Sequence, residues 1–210
     1  MRLVRDLKEL KDKQPNILVL TGNGKTESRI LAALCEKYDG KEKFLWFPET
    51  PIRRRLKETG FKAFNAIKIC LAKYRLGKFL FLIDREHFKE VRQGREQEEV
   101  SRYMEKRLKA RIETTCELVS EKAFITRGYL GSYPFDVCTV IFGVTSKIEE
   151  EISELIRLKL KVQVKPDKPS IDRFLKSRRK KVESLIKEAS KKYLEEAFPG
   201  LCNALKAIEN

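Results

Sequence analysis

The chain has 210 residues, of which 41% are hydrophobic and 37% charged; this excludes a wholly disordered chain and leaves enough apolar material for a core. Its apolar runs, such as Phe79 to Ile83, are far shorter than the roughly 20 residues of a membrane span. The first residues lack the apolar stretch of a secretory signal. The five cysteines form no CxxC pair, so we expect no disulfide framework and no structural zinc site. These features predict a cytoplasmic protein without a membrane partner.

The charge of the chain is strongly unbalanced. Lysine and arginine number 46 against 31 acidic residues, a formal net charge of +15 with a sequence pI of about 9.6. Such an excess favours a polyanionic partner, most often a nucleic acid, DNA or RNA. The alternative is a charged surface of the kind common in thermophile proteins, although those surfaces tend to balance the two signs. We therefore expect contact with nucleic acid or with nucleotide phosphates.

Apolar periodicity predicts an alternation of strands and helices. Residues 1–15 are predicted as a charged helix or arm, followed by strands at 16–21, 44–47 and 79–83 and helices at 25–38 and 61–76. Beyond them we predict a helix at about 100–119, strands at 123–126 and 137–144 separated by a turn-rich segment, and a helix at 146–161. This order predicts an α/β fold with a mostly parallel central sheet flanked by helices.

A proline-rich break from Lys165 to Pro169 is the predicted boundary between an α/β domain at 16–161 and a basic helical region at 166–210. Beyond the break, apolar residues at helical spacing predict one long basic amphipathic helix that reaches about Ala197 and is closed by Pro199-Gly200. Its apolar stripe suits packing on its own domain as well as a homodimer.

Two basic clusters are candidate phosphate contacts. Residues 161–192 hold twelve basic and four acidic side chains, and the basic ones can follow a phosphate backbone. The candidates are Arg178, Arg179, Lys180 and Lys181 there, and Arg53, Arg54 and Arg55 in a predicted loop. The alternative for both clusters is an ordinary solvated face. Phosphate contacts would position a nucleic acid without reading its bases.

The first predicted strand runs into a glycine turn with the sequence Thr21-Gly22-Asn23-Gly24-Lys25-Thr26-Glu27. A Walker A loop would require a glycine at position 19, where the chain has Val19. The turn is therefore too short to wrap a β-phosphate, which disfavours a nucleoside triphosphatase. Backbone amides at the start of the following helix could still hold an anion; the alternative is a simple connection between strand and helix.

The third predicted strand runs directly into Asp84, Glu86 and His87. Carboxylates at the carboxyl end of a strand suit Mg²⁺, which prefers oxygen ligands. The alternative is that these acids cap the next helix. His87 is the sole histidine, and it suits either proton transfer or stabilisation of a phosphate oxygen or a purely structural position.

These two strand ends together resemble the TOPRIM pattern of topoisomerases, bacterial primases, recombination-mediator proteins and nucleases of the overcoming-lysogenization type. In that family one strand runs into E-G-x-T-[DE], and a later strand ends in D-x-D. The resemblance covers residues 16–144 and places Asn23, Gly24, Lys25, Thr26 and Glu27 on the first motif and Asp84 and Glu86 on the second. Asn23 stands where the family has its glutamate, and Glu86 where it has its second aspartate.

The resemblance implies a nucleic-acid-binding, divalent-metal-dependent phosphodiester hydrolase. Mg²⁺ or Mn²⁺ would be held by Asp84 and Glu86 together with Glu27 or Glu49, and Lys25 or His87 would stabilise developing charge. One alternative is a non-catalytic nucleic-acid-binding module with a degenerate metal site, as Asn23 suggests. Another is an enzyme acting on a small nucleotide. Tyr129 and Tyr133 are candidates for stacking on a base.

Overall fold

A computed structural model describes residues 1–10, 13–21, 25–38, 43–47, 60–88, 92, 94–113 and 117–209. Its strands are β1 (Arg2–Val4), β2 (Ile17–Thr21), β3 (Phe44–Trp46), β4 (Lys78–Asp84), β5 (Arg111–Ile112), β6 (Glu117–Ser120), β7 (Ala123–Leu130) and β8 (Tyr133–Phe142). Its α-helices are α1 (Lys25–Cys35), α2 (Asn65–Tyr74), α3 (Glu96–Tyr103), α4 (Glu149–Leu160), α5 (Lys168–Ser177), α6 (Val182–Glu188), α7 (Lys191–Ala197) and α8 (Pro199–Glu209). Within these ranges, no helix is both long enough and apolar enough to cross a membrane.

The eight strands form one mixed sheet in the order β1-β3-β2-β4-β8-β7-β5, with β6 also paired to β7. The neighbours from β1 to β8 along this order are parallel, and β7 pairs antiparallel with β8, β5 and β6. Thr21 lies opposite Leu82, and Asp84 lies opposite Phe142. The strands β2, β4 and β8 therefore end at the same side of the sheet, here named the carboxyl edge. The predicted α/β fold with a mostly parallel sheet is confirmed.

Apolar side chains cover both faces of the sheet, because neighbouring residues of a strand point to opposite sides. Leu18 and Phe81 belong to the core on the face covered by α2 and α3. Val19 and Leu80, one residue removed from each, belong to the core on the other face, with α1 and α4. Near-continuous apolar strands are expected of a sheet buried on both sides.

The four C-terminal helices complete the second of these two cores. Leu185 of α6, Leu194 of α7 and Leu201 of α8 are buried in the same cluster as Val19 and Leu80 of the sheet. Helix α6 packs against α1, α7 packs against α4, and α8 packs against β6, β7 and β8. Residues on both sides of the proline-rich segment thus share one core.

The region predicted as one long basic helix forms three helices, α5, α6 and α7. Arg179 adopts a left-handed conformation with φ of 54°, which ends a right-handed helix. Ser190 is extended, and its hydroxyl accepts a hydrogen bond from the Tyr193 N–H, so it caps a new helix. Pro199 begins α8, because the first helical position needs no N–H donor.

Two other predicted segments also differ. The first residues, predicted as a helix or arm, contain β1, which pairs with β3. The helix predicted at about 100–119 starts earlier and ends at a π-helical turn, Met104–Leu108. Lys109 is left-handed with φ of 59°, and β5 and β6 follow it. Pairing with β7 overrides local helix propensity in both strands.

The segment predicted as turn-rich, between the strands now seen as β7 and β8, is mostly strand. The two strands pair without interruption up to Leu130 and Tyr133, which leaves only Gly131 and Ser132 in the turn. Gly131 has φ of 63°, as the favoured two-residue hairpin turns require.

Candidate functional site

The carboxyl edge brings two buried carboxylates together from different elements. Glu27 lies in the first turn of α1, the helix that follows the strand β2 in the chain, and is 2% exposed. Asp84 is the last residue of β4, the neighbour of β2 in the sheet, and is 3% exposed. Their charges act on each other, since Asp84 contributes to the raised pKa of Glu27.

Asp84 is held by the loop that joins β8 to α4. Its Oδ1 accepts a hydrogen bond from the Ile148 N–H at 3.1 Å, and two residues later the Glu86 N–H donates to the Ser146 carbonyl at 2.9 Å. Gly143 makes this loop possible: its φ is 79°, and a Cβ there would lie 2.6 Å from the Lys147 nitrogen. The end of β4 is thus fixed to the neighbouring loop by backbone groups.

The pKa of Glu27 lies well above its ordinary value. Burial raises it to about 7, the hydrogen bond from its own N–H opposes this, and the negative charges of Asp84 and Glu149 add to the increase. A buried carboxylate near other carboxylates is stabilised by a proton or by a cation. The carboxyl edge therefore favours the approach of positive charge.

Glu86 points to a lysine that sequence reasoning did not single out. Lys147 Nζ lies 3.2 Å from Glu86 Oε2. The hydrogen bond and the charge of Glu86 raise the pKa of Lys147, and Glu149 and Asp84 contribute further. Lys147 is thus within electrostatic reach of three acids, and it offsets part of their negative charge.

His87 is directed toward Gly60. A Cβ on Gly60, whose φ is 57°, would lie 3.0 Å from His87 Nδ1. Gly60 and Phe47 are the described residues that flank positions 48–59. The predicted site residues in that segment, Glu49, Arg53, Arg54 and Arg55, lie outside the described residues. Asn23 and Gly24, in a different segment, also lie outside them.

Two further acids at the start of α4 have opposite environments. Glu150 accepts hydrogen bonds from the N–H groups of Val144, Thr145 and Ser146; burial alone would raise its pKa, but these donors hold it below its usual value. Burial raises the pKa of Glu151 to about 7, although Lys122 Nζ lies 2.9 Å from its Oε1 and opposes the shift. Glu151 Oε2 is buried without a hydrogen-bond partner among the described residues.

The basic segment, residues 178–181, lies on the carboxyl-edge side of α1. Arg29 of α1 faces Glu183 of α6 at 3.7 Å, and Glu36, just beyond α1, pairs with Lys187 at 2.9 Å. Because the two pairs follow the same order, α6 runs in the same direction as α1. The residues that precede α6 are therefore near the start of α1.

Within the basic segment, two of the four side chains are already engaged. The Arg178 guanidinium lies 4.9 Å from the centroid of the Phe174 ring. Hydrogen bonds from Lys180 and Lys159 lower the pKa of Glu188 to about 2. Arg179 and Lys181 are exposed, and neither makes an ion pair within the part of the chain that the structure describes.

The tertiary structure thus brings together some of the predicted site residues. Glu27, Asp84 and Glu86 lie at one edge, and Lys25 is the first residue of α1. Sequence reasoning missed the residues contributed by the loop after β8 and by the first turn of α4, which are Lys147, Glu149, Glu150 and Glu151. Their signal was a run of three glutamates, Glu149 to Glu151, that follows the strand β8 after a six-residue connection.

Among the described residues, no group of three or more His, Cys, Asp or Glu side chains is arranged to hold a metal ion. The pair formed by Glu27 and Asp84 still suits Mg²⁺, which is usually bound through one or two carboxylates, waters and substrate phosphates. Comparison of the chain with protein-family models, curated proteins and solved structures finds no match.

Proposed function

We propose that this protein binds nucleic acid across the carboxyl edge and hydrolyses a phosphodiester there with the help of Mg²⁺ or Mn²⁺. The observation that carries the proposal is that Glu27 and Asp84, two carboxylates from different elements, are both buried and close enough for the charge of Asp84 to raise the pKa of Glu27. A buried carboxylate whose pKa is raised by burial and by a neighbouring acid, as that of Glu27 is, is typical of functional sites.

Positive charge next to this pair supports a phosphate-bearing substrate. Arg179 and Lys181 project from the segment beside the start of α1, and Lys147 stands among the acids themselves. A phosphate backbone laid along this edge would contact the exposed cations while one phosphate approached the carboxylates. A bound divalent ion would supply Lewis acidity and a more acidic water at that point.

A non-catalytic nucleic-acid-binding module is the second candidate. Two observations favour it: Glu86 is paired with Lys147, and Asn23 stands where the TOPRIM pattern has a glutamate. Under this hypothesis Lys147 replaces the cation, and binding requires no metal. Both candidates use the same surface, so they differ only in metal dependence and cleavage.

Cleavage is tested with labelled single- and double-stranded DNA and RNA in EDTA, Mg²⁺ or Mn²⁺. Asp84→Asn keeps an acceptor for the Ile148 N–H but removes the charge. We expect it to reduce metal-dependent cleavage by at least about 100-fold, since even outer-shell partners of a metal contribute about 10–100-fold. The matched control is Glu154→Gln, which removes a carboxylate of α4 that pairs with Arg157. Cleavage that persists unchanged in Asp84→Asn would contradict the proposal.

Binding is tested through its salt dependence. We expect the double variant Arg179→Gln with Lys181→Gln to weaken retention of nucleic acid and to reduce the slope of log K against log salt by about 1.5, as the loss of two phosphate contacts requires. The matched control removes two exposed charges elsewhere, in Lys106→Gln with Arg107→Gln. Equal losses in both double variants would show nonspecific attraction. Binding without cleavage would favour the second candidate.

A further inference from the structure

A cleft of about 540 Å³ opens at the opposite side of the sheet from the candidate site. It lies where α2 ends and where β4 and β8 begin, and its volume is in the range of about 300–1,000 Å³ typical of ligand pockets. The residues of this amino-edge cleft that matter here are Arg75, Gly77, Lys78, Tyr133, Pro134 and Asp136. Strand β4 separates Lys78 from Asp84 by about 20 Å, so the cleft is a separate site.

The floor of the cleft is made of closely packed backbone. A Cβ on Gly77 would lie 2.8 Å from the Pro134 carbonyl oxygen, so only glycine allows the two chains to approach this closely. The Gly77 carbonyl accepts a hydrogen bond from the Asp136 N–H at 2.8 Å. This contact fixes the starts of β4 and β8, and with them the positions of the side chains at the rim.

The rim combines two free cations with an exposed aromatic ring. Arg75 and Lys78 are exposed, and within the described ranges neither side chain forms an ion pair. Tyr133 is 56% exposed, an unusual degree for a large aromatic residue in a strand. Asp136 supplies a carboxylate, 3.9 Å from Arg127.

We propose that the amino-edge cleft binds one unpaired nucleotide, with its base stacked on Tyr133 and its phosphate held by Arg75 and Lys78. Aromatic side chains stack on bases of any sequence, and guanidinium and ammonium groups bind phosphate. Asp136 is placed to accept a hydrogen bond from an N–H of the base or from a sugar hydroxyl. An acidic peptide would use the two cations but leave the ring without a planar partner.

A free nucleotide and an unpaired nucleotide within a single strand share this chemistry, so the test uses both. The probes are adenosine monophosphate in titration calorimetry and a labelled adenine hexanucleotide in fluorescence anisotropy. We expect Tyr133→Ala to weaken binding about tenfold, a loss typical of one stacked base, and Tyr133→Phe to keep wild-type affinity. Arg75→Gln with Lys78→Gln should also weaken binding, whereas Lys106→Gln with Arg107→Gln should not.

The outcomes separate this proposal from the one at the carboxyl edge. Binding of either probe that Tyr133→Ala weakens as expected supports the cleft. Which of the two probes binds shows whether the cleft takes a free nucleotide, a nucleotide within a single strand, or both. Binding of neither probe overturns it, as does equal weakening by the two double variants or an unchanged affinity in Tyr133→Ala. Nucleotide binding that is lost only in Arg179→Gln with Lys181→Gln would overturn the cleft while leaving the carboxyl-edge proposal intact. Unfolding midpoints of the two Tyr133 variants control for folding.

Discussion

Neighbouring glutamates at the start of α4 illustrate how local environment decides the behaviour of identical residues. Glu150 receives backbone N–H donors from the loop after β8, which stabilise its charged form. Glu151, the next residue, turns into the core, where burial disfavours its charged form although Lys122 lies 2.9 Å away. Their pKa values consequently shift in opposite directions from the same ordinary value.

The raised pKa of Glu151 predicts a loss of stability with rising pH. The contribution of this group to folding is fully present below pH 4.5 and is lost as the pH rises through about 7, because the folded state then buries a charge. We expect Glu151→Gln to match the wild type near pH 4.5 and to exceed its free energy of unfolding by up to about 3 kcal/mol at pH 8, since one pKa unit corresponds to about 1.4 kcal/mol.

The measurement is urea unfolding of both proteins at several pH values. Glu154→Gln is the control, because hydrogen bonds from Arg157 lower the pKa of Glu154, and a carboxyl group with a lowered pKa does not cause a loss of stability as the pH rises. A difference between Glu151→Gln and the wild type that stays constant with pH would contradict the assignment of a raised pKa to Glu151.

Among the elements, the junction between α5 and α6 shows how a helical pattern is interrupted. Apolar residues continue at helical spacing through this region, yet Arg179 takes a left-handed conformation. The Arg178 and Arg179 N–H groups bond to the carbonyls of Leu175 and Lys176 instead of continuing α5. The break lets α5 and α6 pack on different partners, since α5 contacts α4 and α6 contacts α1.

Glycine substitution distinguishes this junction from a continuous helix. Arg179→Gly is expected to be neutral or to stabilise the protein by up to about 1 kcal/mol, because glycine adopts positive φ without strain. Lys176→Gly, within α5, should destabilise it by about 1 kcal/mol, the usual penalty of glycine in a helix. Thermal or urea unfolding measures both; comparable destabilisation by the two substitutions would indicate one uninterrupted helix.

For the molecule as a whole, the C-terminal helices are part of the packing that holds the sheet. Leu194 is fully buried in the cluster that includes Leu80 of the central strand. The sole tryptophan, Trp46, lies in β3 near the other end of the chain and is also buried. The fluorescence of Trp46 can therefore report on the unfolding of the sheet, while a substitution at Leu194 perturbs the C-terminal helices.

We expect Leu194→Ala to lower the stability of the entire chain by about 2–5 kcal/mol, as large-to-small core substitutions do. The shift should be the same when unfolding is followed by Trp46 fluorescence and by far-ultraviolet circular dichroism, which is the test of a single cooperative unit. Lys192→Ala, an exposed position of the same helix, is the control. A Trp46 transition that does not move would show that residues 166–210 unfold as a separate domain.

The sequence by itself determined the elements whose patterns are long and local. The apolar strands β2 and β4, the helix α1 and the α/β class follow from periodicity, because each strand must bury both of its faces. The position of Asp84 at the end of a strand could be predicted for the same reason, because the apolar run ends there.

Only the tertiary structure decided which distant residues share an edge and where helices break. Glu27 and Asp84 are separated by 56 intervening residues, and they meet because β2 and β4 are parallel neighbours. Lys147 and Glu151 lie near them because β8, which precedes both residues in the chain, pairs with β4. Local sequence does not encode this pairing of strands. Likewise, β1 forms only because β3 offers a free edge, and α5 to α7 separate because each packs on a different surface. Contacts between distant segments are fixed by the complete core, so they cannot be inferred from any one segment.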